Sequence, residues 1–455
     1  MRIHFIAIGG SAMHNLAIAL KEKGYDVSGS DDEIFEPSLS RLKKHGILPP
    51  TIGWDTNRIN KNLDAIVLGM HARSDNPELI KSKELGLKIY SYPEYLYEQT
   101  KDKTRIVIGG SHGKTTITSM VMHVLRNAGI DFDYMVGAQL EGFENMVSLK
   151  QDTRIAVFEG DEYLTSPIDL RPKFHLYQPN IALISGIAWD HINAFPTYEI
   201  YKNQFAIFIE KIAEGDVLVY CDEDSEVASL AKSKGKNIKR IPYTTHPYHS
   251  TDGSASLIVN GKKIPLAVFG KHNMQNISGA KAVCNQVGVN DDIFYKAIST
   301  FKGASKRLQL LAENQNTKVF LDFAHSPSKV AATVKAMSEA YPERKLVACL
   351  ELHTFSSLNS EFLDQYKGTM DFADVPLVYF NPETIVHKKL SPISPMNVKD
   401  SFGFDKVEVL TESKLVLEKL KSLDWKDKNL LIMTSGNFSG VNLQALADEI
   451  IQGSN

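Results

Sequence analysis

Apolar and polar positions along this chain fall into two alternating periods. Short continuous apolar runs, such as "RIHFIAIGG" from Arg2 and "DAIVLGM" from Asp64, have the pattern of strands buried on both faces. Between them apolar residues recur three and four apart, the spacing of a helix face. The first run leads into helical spacing from Ser11 to Lys23, and "YDVSGSD" supplies a further short strand. The polar stretch "EQTKDKT", residues 98–104, interrupts the pattern and reads as a linker. A second block opens with "RIVIGG" and the helix "KTTITSMVMHVLRNAG", closed by Gly129, and holds the buried strands "RIAVFEG" and "IALISGIA". Around residues 245–265, "TDGSASLIVNGKKIPL" reads as a β-hairpin ahead of another helix at 273–288. A third block starts near Phe301, with strands in "KVFLDFAHSP", "KLVACLEL", "PLVYF" and "NLLIMTSGNFSG".

Such strand–helix alternation predicts an α/β fold with largely parallel sheets. At 455 residues the chain is long for one core. The pattern divides it into three domains: 1–101, 102–302 and 303–455. A net charge of −3 gives no general attraction to nucleic acid. The cysteines, Cys221, Cys284 and Cys349, lie far apart with no CxxC pair, which argues against a disulfide framework and suits a reducing cytoplasm. No stretch approaches the roughly 20 apolar residues a membrane span requires.

Candidate chemistry concentrates in "GGSHGKTTIT", residues 109–118. A strand precedes this loop and a helix follows it, the context in which backbone N–H groups and a helix N-terminus hold phosphate. Lys114 is placed to bridge the β- and γ-phosphates, and the Thr115 hydroxyl to ligate Mg²⁺. Lys114 is expected to be an exposed loop lysine whose removal leaves the fold intact. The loop departs from the common G-x-x-x-x-G-K pattern, since Ile108 stands where the first glycine belongs. Magnesium calls for carboxylates at strand ends, and "VFEGDE" puts Glu159 at one. "ISGIAWDHINAF" places His191 similarly.

Gly110, Ser111, His112, Gly113, Lys114, Thr115 and Thr116 together match the short phosphate loop G-[TS]-[HN]-G-K-T-[TS]. In this the chain resembles the Mur ligases, which join amino acids or peptides to UDP-N-acetylmuramic acid. Four further motifs carry the resemblance through the chain. Glu159 of "EGDE" and His191 of "DH" resemble the two metal positions. "GKHNMQN" resembles G-x-H-N-x-x-N, implying that His272, Asn273 and Asn276 lie beside adenine. "DFAHSP" resembles the C-terminal D-[YF]-[AG]-H-x-P, implying catalytic roles for Asp322 and His325 with Arg307 of "SKRLQ" upstream.

The resemblance implies an N-terminal Rossmann-like UDP-binding domain, a central ATPase domain, and a C-terminal Rossmann-like domain that closes over the acceptor. It implies ATP as co-substrate and a pair of Mg²⁺ ions. UDP-N-acetylmuramate would be held by Gly9, Gly10, Ser11, Ala12 and Met13 of "IGGSAMHNLA", with Asp31 and His71 contacting the UDP half. The implied reaction passes through an acyl phosphate that an amine displaces, and the implied enzyme is cytoplasmic, a monomer or weak dimer. Lys202 of "YKNQF" stands where several relatives carry a carbamylated lysine; a solvated helix lysine is the alternative.

Two stretches bear on the acceptor. The family member that adds L-alanine carries an arginine-rich "HR[YF]TRT"; here "ELHTFSSLNSEF" keeps His353 but has Thr354 and Ser357 in place of the arginines. The longer stretch between Glu159 and His191, with "DLRPKFHLYQP", resembles the member that reattaches the tripeptide L-alanyl-γ-D-glutamyl-meso-diaminopimelate, though that member too usually carries an arginine near position 354 and this chain departs from both patterns there. Lys388 and Lys389 are candidate distant cations for such a peptide. Two other classes compete: a binding protein that keeps the fold without turnover, and a folate-type polyglutamate synthetase. The intact Gly-Lys-Thr loop speaks against the first, and the separate nucleotide-like first hundred residues against the second.

Overall fold

Strand Thr104–Gly109 is buried at every position but its first, as a strand must be when helices cover both faces of its sheet. The computed structural model describes all residues except 71, 252, 404, 454 and 455. His71 therefore lies outside the described residues. Two compact units form: Met1–Ile187 with Asn203–Tyr243 and Gly279–Phe294, and Ala188–Lys202 with Thr244–Ser278 and Tyr295–Asn455.

The first unit holds two main sheets and a small antiparallel pair, Leu164–Ser166 with Asp169–Pro172. One is four-stranded and wholly parallel, in the order Asp26–Ser30, Arg2–Ile6, Ala65–Leu68, Ile89–Ser91. The other is seven-stranded, with Thr104–Gly109 at its centre between Ile181–Ile184 and Ile155–Glu159. Only its edge strand Val147–Ser148 runs antiparallel. The second unit holds a six-stranded sheet, parallel except for the edge strand Gln309–Glu313. Its core packs Val347, Cys349, Leu377, Tyr379, Leu430 and Ile432 around Trp425 and Phe438. All three cysteines are buried and unpaired. The α/β class with parallel-rich sheets is thus as the alternating periods predict.

Two local readings differ from the structure. The hairpin is a three-stranded antiparallel meander, Tyr248–Thr251, Ser254–Val259 and Lys262–Leu266. Its first strand, "YHST", has no buried position and so carries no apolar signal. The polar stretch 98–104 is half helix: Tyr92–Thr100 runs into it, started by a capping box between Ser91 and Glu94. The carbonyls left at that helix end are collected by Arg105, 7% exposed, which donates to the carbonyls of Thr100, Lys101 and Lys103 and to those of Tyr177 and Gln178.

Removing that guanidinium would strand several buried carbonyls at once. Arg105→Ala is expected to lower unfolding free energy by about 3 kcal/mol or more. Urea unfolding followed by circular dichroism checks this, and a loss within the few tenths typical of surface changes would contradict it.

Candidate active site

The phosphate loop leaves the central strand at Gly109 and enters helix Lys114–Asn127. Gly110 (φ 134°) and Gly113 (φ 76°) make the turn in conformations that favour glycine. A Cβ at Gly110 would also collide with the Ser185 side chain of the next strand. Ser111 is buried and directs both its amide and its hydroxyl to the Gly186 carbonyl, at 2.9 and 3.2 Å. It ties the loop to the neighbouring strand end. The His112 carbonyl accepts from Ser185 Oγ.

Lys114 is not the exposed lysine expected from the sequence. Its side chain is 13% exposed, and its Nζ donates to Glu162 Oε2 at 2.5 Å and to the Gly110 carbonyl at 2.6 Å. Burial alone would lower its pKa, but the carboxylates of Glu162 and Asp161 outweigh that and hold it above the ordinary lysine value. Sequence reasoning missed Glu162; the third acid of "EGDE" was its signal. Asp161 pairs with Lys173 Nζ at 2.6 Å.

Thr115 Oγ1 donates to Glu159 Oε1 at 2.7 Å, and the Gly137 amide donates to Glu159 Oε2 at 2.6 Å. A Cβ at Gly137 would lie 2.9 Å from that oxygen, so a larger residue there would push the Glu159 carboxylate aside. A hydroxyl and a carboxylate in contact are hard oxygen donors, a set that fits magnesium, which keeps most of its coordination for water and phosphate. Among the described residues no group of three or more His, Cys, Asp or Glu is arranged to hold a metal by itself.

In the four-stranded sheet, Ser11 and Ala12 are exposed at the start of helix Ser11–Glu22, whereas the Met13 side chain is buried at 4%. Asp31, 2% exposed, accepts from the Gly9 amide at 2.6 Å and so closes the glycine turn. Burial pushes its pKa up to about 6; the Gly9 amide opposes this and Asp32 adds to it.

The remaining candidates belong to the second unit. His191 has φ 58°, and its amide donates to Asp190 Oδ1 at 2.7 Å. Asp190 is 4% exposed and 3.8 Å from Lys329 Nζ. Burial opposes its charge, yet His191, Lys329 and His325 keep it well below the usual carboxylate range. Asp322 accepts from the amides of Leu308 and Ala324, both at 2.7 Å. Those bonds hold the loop bearing Arg307, whose guanidinium sits 4.7 Å from the Phe323 ring centre between the left-handed residues Lys306 (φ 54°) and Leu308 (φ 45°). Burial takes His325 down to about 3, so it is neutral; its Nδ1 donates to the Phe323 carbonyl at 2.8 Å. His272, Asn273 and Asn276 stand in the first turns of helix Lys271–Gln286, where Asn273 Nδ2 donates to the Phe269 carbonyl at 2.8 Å. Lys202 is half-buried on helix Tyr198–Glu210.

Residues 2–104 match the model described as Mur ligase family, catalytic domain, and residues 108–284 the Mur ligase middle domain. The UDP-N-acetylmuramate–L-alanine ligase of Dictyoglomus turgidum is 30% identical over 98% of this chain and 96% of its own. This chain is a Mur ligase. Among solved structures, the UDP-N-acetylmuramate–alanine ligase of Thermotoga maritima superposes over 100% of both chains with a TM-score of 0.72 at 21% identity. The UDP-N-acetylmuramate:L-alanyl-γ-D-glutamyl-meso-diaminopimelate ligase of Neisseria meningitidis covers 66% of this chain and 98% of its own, with a TM-score of 0.59 at 28% identity. The Mur ligase described here is accordingly an ATP-dependent amide ligase of peptidoglycan synthesis, a family that uses Mg²⁺. No helix among its described residues is long and apolar enough to cross a membrane.

Two outcomes follow for this Mur ligase. Lys114→Ala would leave the buried Glu162 carboxylate without its cation, so unfolding free energy should fall by about 3 kcal/mol in addition to a rate loss on the order of 10³. Thermal melts beside ligation assays check both, and an unchanged melt would refute the burial argument. Asp31 binds its proton more tightly folded (about 6) than unfolded (3.8), so its contribution to stability falls as pH rises between those values. Asp31→Asn should flatten the melting temperature between about pH 4 and 6, which a pH series of melts measures directly.

Proposed function

We propose that this enzyme joins the tripeptide L-alanyl-γ-D-glutamyl-meso-diaminopimelate to UDP-N-acetylmuramate, as in cell-wall recycling. The observation that carries this reading is the state of residues 354–357. Thr354 and Ser357 bond each other, the Thr354 amide to Ser357 Oγ at 2.9 Å and the Ser357 amide to Thr354 Oγ1 at 3.1 Å. Ser357 is fully buried. Two small hydroxyls closing a turn offer no bidentate cation to the carboxylate of a small amino acid. Support for a more distant carboxylate comes from Lys388, whose ammonium lies 4.3 Å from the ring centre of the exposed Phe355. A tripeptide carries carboxylates far from its reacting amine, and Lys388 suits one of them.

The muramate carboxylate attacks the γ-phosphorus of ATP, ADP leaves, and the acyl phosphate is then attacked by the acceptor amine as phosphate departs. We assign Gly110–Thr116 with Lys114 to the phosphates, and His272, Asn273 and Asn276 to the adenosine. Gly9–Met13 with Asp31 take the UDP diphosphate and its neighbours. Thr115 and Glu159 would hold magnesium, with His191 as a second position, and the ion would supply neutralisation of phosphate charge. We assign Arg307, whose loop Asp322 holds, to the transferred phosphoryl group, and neutral His325 offers Nε2 as a proton acceptor. We assign domains at 1–101, 102–302 and 303–455 and a cytoplasmic location. The alternative, L-alanine addition, is favoured by the names of the curated relatives at 30–31% identity.

Comparing kcat/KM for the two acceptors separates these readings. We expect turnover of the tripeptide with little or no use of L-alanine, and Lys388→Ala should raise the tripeptide KM about tenfold with kcat within about twofold. A clear preference for alanine would overturn the acceptor while leaving the ligase chemistry standing.

A further inference from the structure

Ile108 pairs with Glu159 across parallel strands, so the turns that follow the two strands emerge at one edge of the central sheet. One turn carries Lys114 and the other Glu162, and the 2.5 Å contact between them results from that register. With Gly110 O as a second acceptor, two of the three ammonium protons are directed at the protein's own oxygens. A phosphate oxygen reaches this ammonium only by displacing or sharing them.

Glu162 is held where it is. It is 1% exposed, and its turn is strapped on both sides of Asp161. Asp161 Oδ1 accepts from the Tyr163 amide, and the Asp161 carbonyl from the Phe174 amide, each at 3.1 Å. Asp161 Oδ2 accepts from Lys173 Nζ at 2.6 Å. Gly160, whose amide donates to the Ile108 carbonyl at 2.8 Å, has no room for a side chain: a Cβ would lie 2.9 Å from Val107 Cγ1. The lysine has a flexible four-carbon stem, whereas the carboxylate sits on a pinned turn. When the two part, the lysine moves.

We propose that Glu162 is a positioning residue that parks the Lys114 ammonium in the absence of nucleotide and competes for it with the terminal phosphates. The proposal rests on the reading of Gly110–Thr116 as a nucleotide phosphate loop. The competition lowers nucleotide affinity in the ground state, because part of the binding free energy goes into separating a buried ion pair.

The test is equilibrium binding of β,γ-imido-ATP with Mg²⁺ to four full-length proteins: wild type, Glu162→Gln, Lys114→Met and the double variant. Thermal melts identify any that fail to fold, with Glu162→Asp as the substitute for an unfolded Glu162→Gln. We expect Glu162→Gln to tighten binding about tenfold, and the same change in the Lys114→Met background to alter it less than about twofold. Weaker or unchanged binding by Glu162→Gln, or an equal gain in both backgrounds, overturns the parking role while the nucleotide site stands. Wild-type protein that binds no nucleotide overturns the phosphate-loop reading itself, and this proposal with it.

Discussion

A buried ammonium must be matched by buried carboxylates, and the central sheet is arranged around that requirement. Lys114 is placed in the interior by a loop that turns on two glycines, and three acids of the adjacent strand end converge on its surroundings. Desolvating such charges singly costs several kcal/mol each, so the pairs form together or the loop does not close as it does here. Lys173 extends the same balance outward by neutralising Asp161. The phosphate loop is therefore the innermost part of a charge network that spans Gly110 to Lys173 and is strung across parallel strands.

The second unit solves a related problem mainly with backbone amides. Asp322 uses both carboxylate oxygens on amides, and through them sets the loop that presents Arg307. Asp190 does the same for His191, with Lys329 balancing its charge. In both cases a buried acid is committed to holding a neighbour, although Asp322 is the one the sequence points to as catalytic. In each case the acid fixes the backbone that carries the neighbouring side chain.

Much of this was legible in the residues. Parallel strands buried on both faces announce themselves as apolar runs, and the Gly-Lys-Thr loop marks its own strand–helix junction. Glu159 was readable for the same reason, as the acid at the end of such a run. Glu162 stands in the same acidic run, but its pairing with Lys114 was not readable, because that partner lies 48 positions away and the contact depends on strand register. The exposure of Lys114 was misjudged on the same ground: a loop lysine looks solvated until its neighbours in space are known. The meander was hidden because strand Tyr248–Thr251 has no apolar face, and the helix end at Thr100 because Arg105, not a local cap, collects its carbonyls.

The loop around Arg307 has an evolutionary corollary. Lys306 and Leu308 both hold left-handed backbone that costs a side-chain-bearing residue on the order of 1 kcal/mol. Glycine at either position would relieve that cost in the folded state, yet it would also widen the conformations open to the guanidinium between them. Selection for thermal robustness and selection for a fixed arginine therefore pull this short segment in opposite directions. A lineage adapting to heat would be expected to gain its stability elsewhere and leave these two strained positions untouched.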